Sequence, residues 1–209
     1  MNLPNKLSIM RICLVPFFVA AYFLPYYWGA YIAVALFIVA AVTDFLDGYI
    51  ARKYQMVTDI GKLLDPIADK VLVCAALFCV VAVNPLGFYN EWAGNFSTIF
   101  LTVGAIFIIS RELLIDAVRQ IAASKGVVVQ ANIFGKIKTV LQDISLPMLV
   151  LLTASTEQVA SAILEQNSTT VLFWGIWWWV SVVLFAVAVI FTIVSGIIYL
   201  IQNRKVFSN

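Results

Sequence analysis

Histidine is absent from all 209 residues, so proton transfer must fall to a carboxylate, Lys, Tyr or Cys. Any metal must be held mainly by oxygen, which points to hard cations. Cysteine is scarce: Cys13, Cys74 and Cys79 are odd in number, lie in apolar stretches and show no CxxC spacing. That excludes a disulfide framework or a thiolate metal site and reads them as small core residues. Charged residues make up 11% of the chain and hydrophobic ones 63%, against about 25% and about 45–50% in soluble domains. A water-soluble fold could not hide that much apolar surface. A formal net charge of +2, with no basic run interleaved with aromatics outside the apolar segments, gives no basis for nucleic-acid binding.

What the chain does have is a series of apolar runs near or above the ~18 residues that cross about 30 Å of hydrocarbon. They predict an all-α, polytopic integral membrane protein with helices at roughly 8–25, 29–53, 62–84, 97–121, 134–156 and 171–202, forming one membrane domain over residues 1–209. The first run resembles a signal peptide, with Lys6 and Arg11 ahead of an apolar stretch. Leu24-Pro25-Tyr26-Tyr27-Trp28 nevertheless continues as an aromatic belt into a second span, so it is expected to be retained. All 13 Lys and Arg residues can be placed on one side, whereas the links near 84–97 and 156–170 carry Glu91, Glu157 and Glu165 and no basic residue. Under the positive-inside rule that side is the cytoplasm, which predicts six transmembrane helices with both termini cytoplasmic. Trp174, Trp177, Trp178 and Trp179 near the start of the last helix are expected to form an external interfacial anchor.

Ionisable residues are expensive in a membrane, so the informative places are apolar helices that carry Asp. The second helix ends Thr43-Asp44-Phe45-Leu46-Asp47-Gly48-Tyr49-Ile50-Ala51-Arg52, and the third begins Gly61-Lys62-Leu63-Leu64-Asp65-Pro66-Ile67-Ala68-Asp69-Lys70. Asp44 and Asp47 stand at i and i+3, Asp65 and Asp69 at i and i+4, so each pair shares a helix face and can meet the other across a short turn. Four bare carboxylates would repel one another. Two divalent cations would neutralise them, and an all-oxygen site beside phosphate suggests Mg2+ or Mn2+. Gly48, Ala51 and Gly61 leave room for a substrate near the backbone, and they equally suit close helix packing.

The pattern Asp44-x2-Asp47-Gly48-x2-Ala51-Arg52-x8-Gly61-x3-Asp65-x3-Asp69, eight fixed positions over 26 residues, resembles the signature of the CDP-alcohol phosphotransferase family. The resemblance implies a six-helix membrane enzyme, usually a homodimer, in which an acceptor hydroxyl displaces CMP from a CDP-linked donor. By that resemblance Asp44, Asp47 and Asp65 are metal ligands, and Asp69 is both a ligand and the candidate catalytic base. The donor, CDP-diacylglycerol, is implied to lie against Asn5, Asp47, Gly48, Ala51, Arg52 and Gly61, with Arg11 closing over its nucleotide or phosphate.

Three further segments are similar to those of a bacterial branch of the family that uses sn-glycerol 3-phosphate to make phosphatidylglycerol phosphate. They are Leu3-Pro4-Asn5-Lys6-Leu7-Ser8-Ile9-Met10-Arg11, Ser110-Arg111-Glu112-Leu113 and Gly135-Lys136-Ile137-Lys138-Thr139. Such an acceptor brings a dianion, which Arg111, Arg119, Lys136 and Lys138 could hold. The same residues also read as positive-inside charges or lipid-phosphate contacts. Serine, inositol or an inositol phosphate remain alternative acceptors. Two other classes, an ion-coupled transporter and a non-catalytic scaffold, fit the sequence less well. A transporter calls for carboxylates at mid-membrane in broken helices, and a scaffold leaves the paired Asp without a purpose. The resemblance implies a bacterial cell membrane, with the site facing the cytoplasm.

Overall fold

The computed structural model describes the backbone of residues 3–25, 27–54, 59–84, 91–125, 133–164 and 168–204; the side chains of 3–6, 27, 45–66, Asp69, 91–94, 123, 155–157, 159–160 and 162–164 lie outside the described set. Six helices run in order: α1 Leu3–Tyr22, α2 Tyr27–Tyr54, α3 Asp59–Val83, α4 Glu91–Ser124, α5 Ile133–Leu164 and α6 Ser168–Gln202. No strand occurs among the described residues.

Each expected helix is present. The largest differences are at α4, which begins at Glu91 rather than near 97, and α5, which continues to Leu164 rather than near 156. Both additions mix polar and apolar residues, and a helix satisfies its own backbone hydrogen bonds, so it need not stop where the continuous apolar run stops. The end of α3 is tied to α4 through Asn84. Asn84 follows α3 with φ 48°, the left-handed conformation that Asn tolerates at a helix end, and its N–H donates to Val80 O at 2.9 Å. Its side chain then reaches α4, accepting from Ser97 Oγ at 2.9 Å and donating to Thr98 Oγ1 at 2.8 Å.

Helix α5 packs along α6 and against α2, α1 lies against α2 and α3, and α4 lies against α6 and α3. The shared core holds Phe18, Phe37, Leu77, Leu101, Ile108, Leu146, Leu149 and Phe185. Gly104 permits the α4–α6 approach, because a Cβ there would fall 2.6 Å from the Phe185 ring. Phe185 in turn meets Phe100 edge-on at 5.5 Å. Pro16 and Pro147 lie inside α1 and α5, each removing one backbone donor from its helix.

Large apolar side chains such as Phe17, Phe78, Ile99 and Leu172 point outward around the bundle. Three described stretches, Asn95–Ala122, Ile133–Ala154 and Ser168–Gln202, are long and apolar enough to cross a membrane, and Leu7–Tyr22, Trp28–Asp44 and Lys70–Val83 are shorter apolar helices. With that exterior the chain is a membrane protein. The tryptophans of α6 divide between two roles instead of forming one anchor. Trp174 is only 6% exposed within the core, and Trp177 Nε1 donates to Met148 O of α5 at 3.2 Å, whereas Trp179 is 64% exposed. Aromatic content marked the segment; the helix phase, which turns Trp174 and Trp177 towards α5, decided which rings face the protein.

Candidate active site

The ion pairs among the described residues lie at one end of the bundle. Arg11 from the early part of α1 meets Asp44 from the later part of α2, and Lys70, midway along α3, meets Asp116 on the later part of α4. Lys138 near the start of α5 meets Glu112 of α4, and Ser195 late in α6 meets Arg111. Alternating helix direction thus gathers charge from five helices, and a hydroxyl from the sixth, onto one side.

Four of these groups, Asp44, Lys70, Glu112 and Lys138, line a cavity of about 200 Å³ between α2, α3, α4 and α5, together with Thr139, Gln142 and Asp143. A smaller recess of about 30 Å³ adjoins it and shares Asp44 and Asp143, with Arg11 on its far wall. Val73, Ile108, Ile109 and Leu113 close the remaining sides of the larger cavity. An apolar wall lowers the local dielectric, so charges inside act more strongly on an anionic substrate than they would in water.

Each buried cation has an anion beside it. Arg11 is 1% exposed, with Nη1 2.5 Å from Asp44 Oδ1, while Asp44 itself is 45% exposed and opens onto the cavity. Lys138 is 2% exposed and donates through Nζ to Glu112 Oε1. The same oxygen accepts from Arg111 Nη1 at 3.1 Å, and Arg111 Nη2 donates to Ser195 Oγ at 3.3 Å. Removing either charge of a buried pair typically costs about 3–5 kcal/mol, which is why the cations do not stand alone.

The sequence-predicted residues divide into three groups. Asp44 and Lys138, from segments 94 positions apart, are brought to the same cavity, and Arg111 joins them through Glu112. Lys136 is exposed and is not on the cavity wall, and Arg119 lies farther along α4, its guanidinium 5.9 Å from the centre of the Tyr199 ring. The side chains of Asn5, Asp47, Gly48, Ala51, Arg52, Gly61, Asp65 and Asp69 lie outside the described residues. Their backbones are helical, Asn5 in α1 and the others in α2 and α3, so the i, i+3 and i, i+4 spacings of the two Asp pairs are helical spacings.

Among the described residues no three metal-binding side chains of the His, Cys, Asp and Glu types come together. The donor chemistry on the wall still suits a hard cation. Asp44 is a half-exposed carboxylate, and Asp143 stands on the same two cavities. Glu112, Asp143, Lys70, Asp116 and Ser195 were not anticipated as site residues. Only Glu112 carried a signal, as a carboxylate inside an apolar run beside Arg111.

A sequence model described as CDP-alcohol phosphatidyltransferase matches residues 1–194. The chain belongs to this family. It is 37% identical over 214 residues to the CDP-diacylglycerol–glycerol-3-phosphate 3-phosphatidyltransferase of Bacillus subtilis (strain 168), covering 97% of this chain and 95% of that one. It is also similar to proteins of the same name from Haemophilus influenzae, at 36% identity over 83% of this chain and 89% of that one, and from Pectobacterium atrosepticum, at 37% over 69% and 74%. The family expected from the Asp signature is therefore the family found. In this CDP-alcohol phosphatidyltransferase, Asp44 of the signature and Lys138 of the α5 segment line one cavity, although the signature alone locates neither Lys138 nor Glu112.

Proposed function

We propose that this protein transfers the phosphatidyl group of CDP-diacylglycerol to a hydroxyl of sn-glycerol 3-phosphate, giving phosphatidylglycerol phosphate and CMP. The observation that carries this reading is the placement of Asp44, from the donor-binding signature, and Lys138, from the basic α5 segment, on one cavity. Donor and acceptor chemistry need to meet in such a space. The names of the bacterial relatives support the same pair of substrates.

In this reading Asp44, Asp47, Asp65 and Asp69 would hold two divalent cations, Mg2+ or Mn2+, which would supply positive charge for the pyrophosphate and the CMP leaving group. The chain's own side chains do the rest. Asp69 takes the proton from the attacking hydroxyl, and Asn5, Gly48, Ala51, Arg52 and Gly61 receive the donor. Arg11 orients Asp44 from behind, since the guanidinium is buried while the carboxylate faces the cavity. Lys138 and Arg111 take the acceptor phosphate, while Lys136 and Arg119 contribute field at longer range. Holding both substrates in one apolar-walled space converts an encounter between them into a positioned displacement.

The setting completes the proposal. Residues 1–209 form a single domain that crosses a bacterial cell membrane six times, with both termini and the cavity on the cytoplasmic side, surrounded by membrane lipid and paired as a homodimer. The clustering of Arg11, Lys70, Arg111 and Lys138 at one end of the bundle supports that orientation. The test is an acceptor competition with purified protein and CDP-diacylglycerol. Glycerol 3-phosphate should drive CMP release where serine, inositol and glycerol do not; preferred release with any of those three would reassign the acceptor.

A further inference from the structure

The cation pair assigned to the acceptor phosphate is already bound by an anion of the chain itself. Glu112 Oε1 accepts from both Lys138 Nζ and Arg111 Nη1, joining cations of α4 and α5 through one carboxylate oxygen. A phosphate oxygen is the same kind of acceptor for the same two donors. Glu112 and Lys138 both line the cavity, so an incoming phosphate and the Glu112 carboxylate contest one position.

We propose that Glu112 is an internal competitor for the acceptor's phosphate and thereby sets acceptor specificity, an inference that rests on the phosphorylated-acceptor reading above. The carboxylate holds Arg111 and Lys138 until a phosphorylated alcohol displaces it. A neutral alcohol has no anion to exchange and leaves the triad closed.

Two features make the exchange workable. Arg111 is anchored separately from Glu112, through Ser195 Oγ and through close packing at Gly196, where an added Cβ would lie 3.1 Å from Arg111 Cγ. It therefore stays in place when the carboxylate leaves. Glu112 is 21% exposed on the cavity wall, so the displaced carboxylate can move into water within the cavity instead of into the apolar core. The other cavity cation, Lys70, is paired with Asp116, and Asp44 and Asp143 carry the opposite charge. An acceptor dianion is thus drawn towards Arg111 and Lys138.

The test uses the purified full-length protein in detergent, with inorganic phosphate as the binding probe and glycerol 3-phosphate as the kinetic one. Glu112→Gln should bind phosphate more tightly by on the order of tenfold, the scale of one charge-assisted contact. The KM for glycerol 3-phosphate should fall while the KM for CDP-diacylglycerol stays unchanged. Damage to the fold would not produce a gain in affinity. Glu112→Asp, which retracts the carboxylate by one methylene, should shift binding in the same direction and serves if the Gln variant does not fold. Unchanged or weaker phosphate binding in folded variants, with wild-type turnover of glycerol 3-phosphate intact, would overturn the competitor role alone. A wild-type protein that neither binds phosphate nor uses glycerol 3-phosphate would overturn this inference together with the acceptor assignment.

Discussion

Lys138→Met removes the ammonium from the cavity wall while keeping an unbranched side chain of similar reach among the same neighbours. Loss of one charge-assisted phosphate contact is worth about 1.5–3 kcal/mol, so the KM for glycerol 3-phosphate should rise by on the order of ten- to a hundredfold. The effect on stability should be smaller than the ~3–5 kcal/mol typical of a broken buried pair, because Glu112 keeps Arg111 at 3.1 Å and is itself 21% exposed. The assay is CMP release at varied glycerol 3-phosphate and saturating CDP-diacylglycerol, then with the two exchanged, with size-exclusion and helical content checked on the same preparation. The donor KM should not move. The neighbouring cations form the control series: Arg111→Met should follow Lys138→Met, whereas Lys136→Met, exposed and off the wall, and Arg119→Met, over Tyr199, should change the acceptor KM by no more than about twofold. Equal rises in donor and acceptor KM would place Lys138 on the donor diphosphate. No change in either would refute its role in acceptor binding.

Further predictions test the other parts of the account. Asp69→Asn should abolish turnover with helix content and membrane insertion intact, since the amide can neither accept the hydroxyl proton nor serve as a charged ligand; activity restored at high Mg2+ would favour the ligand role over the base role. Asp44→Asn should lower the thermal unfolding midpoint more than Arg11→Met does, because the first strands a cation that is 1% exposed whereas the second leaves a carboxylate that is 45% exposed and can be hydrated. The reverse order would refute the burial argument. Gly104→Ala should cost about 1–3 kcal/mol of stability through overpacking, because the new methyl would meet the fully buried Phe185 ring, itself held by Phe100; a neutral effect in a detergent unfolding assay would show that α4 and α6 can separate.

The helices were legible because long apolar runs mark them, and each of the six runs falls on one of the six helices among the described residues. Their ends were less legible where a helix continues through a stretch of mixed polarity beyond the main apolar run, as at Glu91 and Leu164. The Asp signature was legible as local chemistry, since spacings of three and four within one helix need only the helical repeat. Pairings between helices were not. Whether Lys70 meets Asp116, or Arg111 meets Ser195, depends on the rotation of each helix about its axis, which neither residue encodes. The same rotation separates Lys138, on the cavity, from Lys136 two positions away, although the sequence presents them as equivalent.

The central claim is tested most directly by following labelled glycerol 3-phosphate into lipid when purified protein, CDP-diacylglycerol and Mg2+ are combined in liposomes. The account predicts that label enters the lipid fraction as phosphatidylglycerol phosphate, with one CMP released for each lipid formed, and that omission of either substrate or chelation of the metal stops both. CMP release without label in the lipid, or label incorporated without CMP, would contradict it.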